Sequence, residues 1–346
     1  MSMKKYEVTI GIPVFNVEKY ISQTLDSALA QTFESIEFLI CDDCGTDSSI
    51  DIVKKYQKQH PRGKDIRIVS QPKNMGIGEA RNRMIKEANG KFFYSLDADD
   101  IIKNDTISLL YDAAIKYNAE IVYGSYERLY DNGNCKRTVP YEYPFRIFTK
   151  PNEYAEYVYN VGIQVMNWNY LILLDVIKQN NLKITPVGHG YGEDYTFTVD
   201  LPTYITRAVL LPNITYIYYI KENEFKEKRQ KMMSRNQMDE SIKAIEIKKH
   251  RKELKTKPYY AKRCSILMMY DFSFVCQILI RRNEANPRYS NKEIHNIMNH
   301  PMTLSEILLS KQERIKNLGY YILWKLPSFL SVCLMTTYAK ALKMRK

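Results

Sequence analysis

The sequence predicts an α/β fold: a Rossmann-like, mostly parallel sheet with helices on both faces, plus a C-terminal helical region. Three observations carry this. Apolar, β-rich runs alternate with amphipathic stretches through about the first 126 residues, and the turns between them are short. Beyond Lys221 the pattern turns helical and Lys-rich, with Gly319 as its only glycine.

The elements follow in order. "YEVTIGIPVF" (6–15) reads as a buried strand. "VEKYISQTLDSALAQ" (17–31) places Val17, Ile21, Leu25, Ala28 and Leu29 on one helical face. "IEFLIC" (36–41) is a second strand, and "DSSIDIVKKYQKQH" (47–60) is a helix with Asp47 or Ser48 as its N-cap. "IRIVS" (66–70) is a third strand. "IGEARNRMIKEAN" (77–89) is a helix with Gly90 as its stop. "KFFYSL" (91–96) is a fourth strand, and 105–118 and 119–126 supply one more helix and strand. Residues 131–148 read as irregular and aromatic, and a mixed region runs to about Ile220. The expected organisation is therefore a first domain over 1–220 and a basic, mostly helical region over 221–346.

Open parallel sheets bind ligands outside the carboxyl ends of their strands. Here the ends of strands one, two and four carry Pro13-Phe15-Asn16, Asp42-Asp43 and Asp97-Asp99-Asp100. Three carboxylates in four positions repel one another unless something neutralises them. Hard Mg2+ or Mn2+ prefers oxygen ligands and uses one or two protein carboxylates when phosphates supply the rest. A capping cluster is the plainer reading, and it suits Asp100 best.

Other segments carry candidate chemistry. In "CDDCGTDSS" a carboxylate can accept hydrogen bonds from a base or ribose, or serve as a cap. "NMGIGEARN" sets two glycines before a helix with Arg81, which can pair with phosphate or with an aspartate. It is not a dinucleotide fingerprint. "GHGYGEDYTF" holds Glu193 and Asp194 in a Gly-rich loop, where a movable, partly desolvated carboxylate suits a general base. Trp168 and His189 are candidate acceptor contacts, because sugars pack C–H faces on aromatic rings. A core tryptophan and a plain loop histidine are the alternatives.

These motifs resemble family 2 glycosyltransferases, inverting enzymes with the GT-A fold. "IGIPVFN", "FLICDDCGTDSS", "NMGIGEARN", "FYSLDADD" and "GYGEDYTF" stand in family order within residues 6–200. The resemblance implies a nucleotide-diphospho-sugar donor, most often a UDP-sugar. It implies that Pro13, Phe15 and Asp43 line the uracil pocket, with Asn16, Asp42, Arg81 and Ala98 also on the donor side. Asp97 would hold ribose or sugar hydroxyls, and Asp99 the Mg2+ or Mn2+ that bridges the diphosphate. Asp194 would be the general base, positioned by Glu193. Relatives often have a basic or His-containing segment that closes over the diphosphate, and in "YIYYIKENEF" the candidate is Lys221.

Charge adds a second expectation. From Lys221 onward there are 27 Lys/Arg against 12 Asp/Glu, so the formal +12 of the chain resides wholly in this region. A basic helical tail suits an anionic membrane surface, and the resemblance implies a saccharide or lipid-linked saccharide acceptor in surface-polysaccharide assembly. The stretch 319–339 could span, lie in the interface or pack as a core helix; Lys325 and Pro327 interrupt it. Six cysteines make no disulfide framework, and Cys41-x-x-Cys44 encloses two aspartates that oppose thiolate formation. The N-terminus lacks a signal-peptide pattern, so the expected location is the cytoplasm, peripheral to the inner membrane face. No nucleic acid is expected, because positive charge avoids the ligand edge of the sheet. A nucleotidyltransferase would carry a Gly-rich basic loop after the first strand, which "GIPVFNVEKY" lacks.

Overall fold

A computed structural model describes residues 6–161, 166–185, 193–221, 235–280, 288–309 and 313–344. The chain divides into two compact units: residues 1–154 with 165–232, and residues 155–164 with 233–346. The division lies some residues beyond the expected 220/221, and the helix Glu153–Val161 groups largely with the second unit.

The first unit holds a ten-stranded sheet. Strands β1 (Tyr6–Val14), β2 (Ile36–Asp42), β3 (Ile66–Ser70) and β4 (Gly90–Ser95) form its parallel half, in the order β3-β2-β1-β4. The order continues through β9 (Tyr170–Leu173), β6 (Ile121–Asp131) and β10 (Ala208–Lys221) to the two-residue β5 (Ile101–Ile102). β9 is antiparallel to both its neighbours, while β6 and β10 pair in parallel. The half beyond β4 is thus mixed. Residues 131–148, which read as irregular, contain β7 (Lys136–Tyr141) on β6 and β8 (Arg146–Phe148) on β10. Every residue of β7 is exposed, so it lacks the apolar alternation that marks a buried strand.

Both faces of the parallel half are covered. Val8, Ile10, Ile12 and Val14 of β1 are 0–1% exposed and pack with Ile21 and Leu25 of α1 (Ile21–Leu29), Val53 of α2 (Ser49–Gln59) and Leu110 of α4 (Thr106–Lys116). Each such aliphatic chain stabilises the fold by about 1.5–3 kcal/mol. The alternate residues meet α3 (Ile77–Glu87). At Gly11 a Cβ would lie 2.7 Å from the Phe93 ring and 3.1 Å from the Met84 sulfur, so only glycine lets α3 and β4 close on β1 there.

β10 carries two register irregularities against β6, between Leu210 and Ile214 and between Ile214 and Tyr216. Beyond them it runs alongside β6 to Lys221 and pairs β5 at Tyr216 and Ile217.

The second unit is helical. Helix Tyr260–Ile280 is long and apolar enough to cross a membrane, yet 61% of its apolar window is buried within the protein. Its Asp271 pairs with Lys249 at 2.7 Å, and both are buried. It packs through Phe274, Val275 and Ile278 against Val332, Met335 and Ala339 of helix Ser328–Met344. The stretch 319–339 is not one helix: Arg314–Lys325 ends before Leu326-Pro327, where the second helix begins. Neither piece has the ~20 residues a transmembrane helix needs.

Candidate active site

The site forms where the carboxyl ends of β1, β2 and β4 meet the start of α3, wholly within the first unit. A cleft of about 450 Å³ is lined there by Pro13, Phe15, Asp43, Asn74, Gly76, Ile77, Asp97, Ala98, Asp99 and Tyr218, among others. Phe15 is 42% exposed, an open aromatic face at its mouth.

Asp43 is buried at the end of β2. Its two oxygens accept the backbone N–H groups of Met75, at 2.7 Å, and Gly76, at 2.9 Å. Gly76 has φ +85°, the left-handed region that favours glycine, and this lets the 74–76 turn present both donors. One wall of the cleft therefore hangs on one carboxylate.

Asp42 and Asn16 do not line the cleft. Asp42 accepts from Cys44 N–H at 2.9 Å, and Asn16 Oδ1 accepts from Thr46 N–H at 2.7 Å. Strand alternation separates Asp42 from Asp43. Both residues shape the 42–46 turn. Cys41 lies behind it, its thiol pushed up to about 12 by burial and by Asp43, which is inert chemistry.

The three aspartates after β4 divide. Asp97 pairs with Arg81 at 2.8 Å. Asp99 pairs with Lys221 Nζ at 2.8 Å. Asp100 is buried; it accepts from Tyr216 OH at 2.7 Å and from the Tyr219 N–H at 2.8 Å. Burial, with Asp99 and Asp97 nearby, raises its pKa well above the carboxylate range. Asp100 thus fastens β10 to the acidic turn.

Arg81 is 2% exposed and lies between Asp97, Asp194 Oδ1 at 3.2 Å and Glu193 Oε1 at 3.9 Å. Burial opposes its charge, but the three carboxylates outweigh that and hold its pKa above the usual value. Asp194 stands in the first turn of helix Glu193–Asp200. Burial, Glu193 and Asp97 push its pKa up against the pull of Arg81, to about 7. Its side chain is still 32% exposed, so the carboxylate is open to solvent.

Trp168 is 7% exposed. It stacks on Tyr216 at 4.3 Å and meets Tyr126 edge-on at 5.1 Å, as part of the sheet core. This packing corrects the acceptor reading of Trp168. His189 lies outside the described residues. Tyr218 in the cleft and Tyr20 against Lys221 were missed. Period-two alternation in "NITYIYYIK" (213–221) could have flagged Tyr218, whereas Tyr20 carried no such signal.

Asp99, itself paired with Lys221, is the candidate metal ligand here. Asp97 is committed to Arg81 and Asp100 to β10, and no trio of His, Cys, Asp or Glu among the described residues forms a cage. The lone Asp99 carboxylate fits Mg2+ or Mn2+ only as a shared site, with diphosphate oxygens completing the shell.

Residues 9–166 match the family described as "Glycosyl transferase family 2". That match takes in 158 of the 346 residues, the part of the chain that carries β1 to β8 and the acidic turn. Among curated relatives, glycosyltransferase GlyA of Streptococcus pneumoniae is 34% identical over 120 residues, 35% of this chain and 17% of that protein. Chondroitin synthase of Escherichia coli is 40% identical over 105 residues, 30% of this chain and 15% of that protein. The chain thus matches a small part of each. Among solved structures, S. aureus TarS 1-349 in complex with UDP-GlcNAc superposes with TM-score 0.68 at 19% identity, covering 92% of this chain and 90% of that one. Mannosyltransferase PcManGT from Pyrobaculum calidifontis, in complex with GDP-Man and Mn2+, reaches TM-score 0.54 at 12% identity, covering 99% and 87%. These likenesses establish the shared GT-A fold.

Proposed function

We propose that the chain is an inverting glycosyltransferase that moves a sugar from a UDP-sugar to an acceptor hydroxyl during cell-surface polysaccharide assembly. The observation that carries this is the placement of Asp194 beside Asp97, through Arg81, at the edge of a cleft walled by Phe15 and Asp43. UDP-GlcNAc bound to TarS supports the donor class, and Mn2+ with GDP-Man on PcManGT supports a metal.

Phe15 offers its exposed ring to the base. Asp43 holds the opposite wall and keeps acceptor capacity for the uracil N–H, since each carboxylate oxygen takes about two hydrogen bonds. Asp97, oriented by Arg81, takes ribose or sugar hydroxyls. Asp194 removes the acceptor proton as that oxygen bonds the anomeric carbon. The C–O bond to the diphosphate breaks on the opposite face, its electron pair leaves with UDP, and the anomeric centre inverts. A base whose pKa lies near 7 suits this proton transfer. Asp99 would hold Mg2+ or Mn2+, which when bound neutralises charge on the departing diphosphate.

The test is UDP release from a panel of UDP-sugars with Mn2+ or Mg2+. Wild type should turn over one donor, while Asp194→Asn and Asp99→Asn should not. Full activity of Asp194→Asn would remove the base assignment, and activity that survives EDTA would remove the metal.

The second unit supports placement on an anionic membrane surface at the inner face of the cell membrane. From Arg314 to the end of the sequence there are seven Lys/Arg and no Asp or Glu. Along helix Ser328–Met344, Phe329, Leu330, Leu334 and Tyr338 are 44–68% exposed on the side away from buried Val332, Met335 and Ala339. An apolar stripe flanked by cations lies in the lipid interface rather than across it.

A further inference from the structure

We propose that Lys221 is a resident cation of the donor site, so that a divalent ion gains Asp99 only together with a diphosphate that takes up the displaced ammonium. The inference rests on the glycosyltransferase reading of this cleft and adds an order of events to it.

Lys221 Nζ lies 2.8 Å from Asp99 Oδ2 and 3.4 Å from the centre of the Tyr20 ring. The Tyr219 ring is a second neighbour at 5.2 Å. The side chain is 13% exposed, so this ammonium is seated in protein rather than waving in solvent. Its seat is fixed from below. Asp100 grips β10 at Tyr216 and Tyr219, which sets where the next residues of the strand emerge. Adjacent carboxylates therefore do adjacent jobs: Asp100 holds the strand, and Asp99 receives the cation at its end.

An ammonium and a divalent ion are competitors for one carboxylate. Both are compact, strongly hydrated charges, and side by side on Asp99 they repel. Asp100 offers no substitute ligand, because both its oxygens are bonded to β10, and Asp97 is held by the buried Arg81 through Oδ1. A divalent ion alone must therefore break the Lys221 pair and its ring contact. A diphosphate changes the balance. Its negative oxygens satisfy the metal and offer the freed ammonium a new partner, and lysine on its flexible stem serves phosphate well as a point charge. Metal and nucleotide should thus bind with positive coupling, equal in both directions.

The test is Mn2+ binding read by electron paramagnetic resonance on the full chain, with and without saturating UDP. Wild type, Lys221→Met and Lys221→Gln are compared, with Asp99→Asn as the control and thermal melting to confirm folding. Wild type should bind Mn2+ about tenfold or more tightly when UDP is present, within the usual range of coupling. Both Lys221 variants should bind Mn2+ without UDP several-fold more tightly than wild type does, and should gain less from UDP. Asp99→Asn should bind little Mn2+ in either condition. A folded Lys221 variant whose Mn2+ affinity without UDP equals that of wild type, or whose gain from UDP is undiminished, would overturn the proposal. A wild type that binds neither UDP nor Mn2+ would instead overturn the donor-site reading on which it rests.

Discussion

Arg81 Nη1 lies 3.2 Å from Asp194 Oδ1, although 113 residues separate them in the chain. Through its other terminal nitrogen the same guanidinium holds Asp97. A donor-side carboxylate and the candidate base are thus fixed by one buried cation.

This arrangement sets a kinetic expectation. Asp194→Asn keeps a hydrogen-bonding group beside Arg81 but cannot take a proton. It should lower kcat by about 10²–10⁴-fold with little change in UDP affinity. Single-turnover rates beside calorimetric UDP binding check this, and a variant within threefold of wild-type kcat would count against the base assignment.

The pH profile follows from the raised pKa of Asp194, about 7. The base must be ionised, so kcat/KM should fall as pH drops below about 7. Arg81 favours the ionised form, so Arg81→Gln should move this acid limb to higher pH. Stability runs the other way. The folded state holds the Asp194 proton more tightly than the unfolded chain, so this group's contribution weakens as pH rises from about 4 to about 7. Melting temperatures across pH 5–8 should decline less steeply in Asp194→Asn than in wild type.

Asp43 makes a separate prediction about the cleft wall. Asp43→Ala strands the N–H group of Met75 and leaves that of Gly76 only its 3.1 Å bond to Asn74 Oδ1. Loss of two charge-assisted bonds should cost about 2–3 kcal/mol of stability and weaken UDP binding. Asp43→Asn keeps one acceptor and should fall between. Denaturant titration and UDP calorimetry on both variants test it, and equal stability of Ala and wild type would refute the role.

The apolar stripe of the second unit predicts a lipid effect without a folding effect. Phe329→Ser with Leu330→Ser and Leu334→Ser should weaken sedimentation with anionic vesicles by about tenfold or more, while the melting temperature stays near wild type, because these side chains are 44–68% exposed. Unchanged sedimentation of the folded triple variant would exclude this face as the contact.

Much of the sheet was legible because its signals are local. Ile10, Ile12, Phe38 and Ile40 are apolar runs ended by turn residues, and the β1–β4 half follows the sequence reading closely. The aspartates after β4 were legible for the same reason, as a charge density that a capped strand end does not need. What escaped was set by tertiary partners. Nothing local tells Asp42 from Asp43, since the difference is the 74–76 turn that only Asp43 meets. For Trp168 the sequence leaves a sugar platform and a core residue both open, and it is the stacking of Tyr216 and the edge-on contact of Tyr126 that make it core. The antiparallel β9, four residues long, and the exposed β7 carry too little periodicity to announce themselves.

The irregular pairing of β10 has a consequence for the chain's tolerance of insertion and deletion. Tyr123 and Tyr126 stand an odd number of steps apart on β6, whereas their partners Leu210 and Tyr216 stand an even number apart on β10. The two irregularities have therefore inverted the parity of the strand. That inversion is why Val209, Leu211 and Tyr216 all reach the same core. Losing a single residue between Leu210 and Tyr216 would restore the simple count and turn Tyr216 and Lys221 to the wrong sides together. Length in this short segment should thus be held more strictly than its amino-acid identity, and a library of one-residue deletions along β10 would reveal it as a sharp dip in UDP binding.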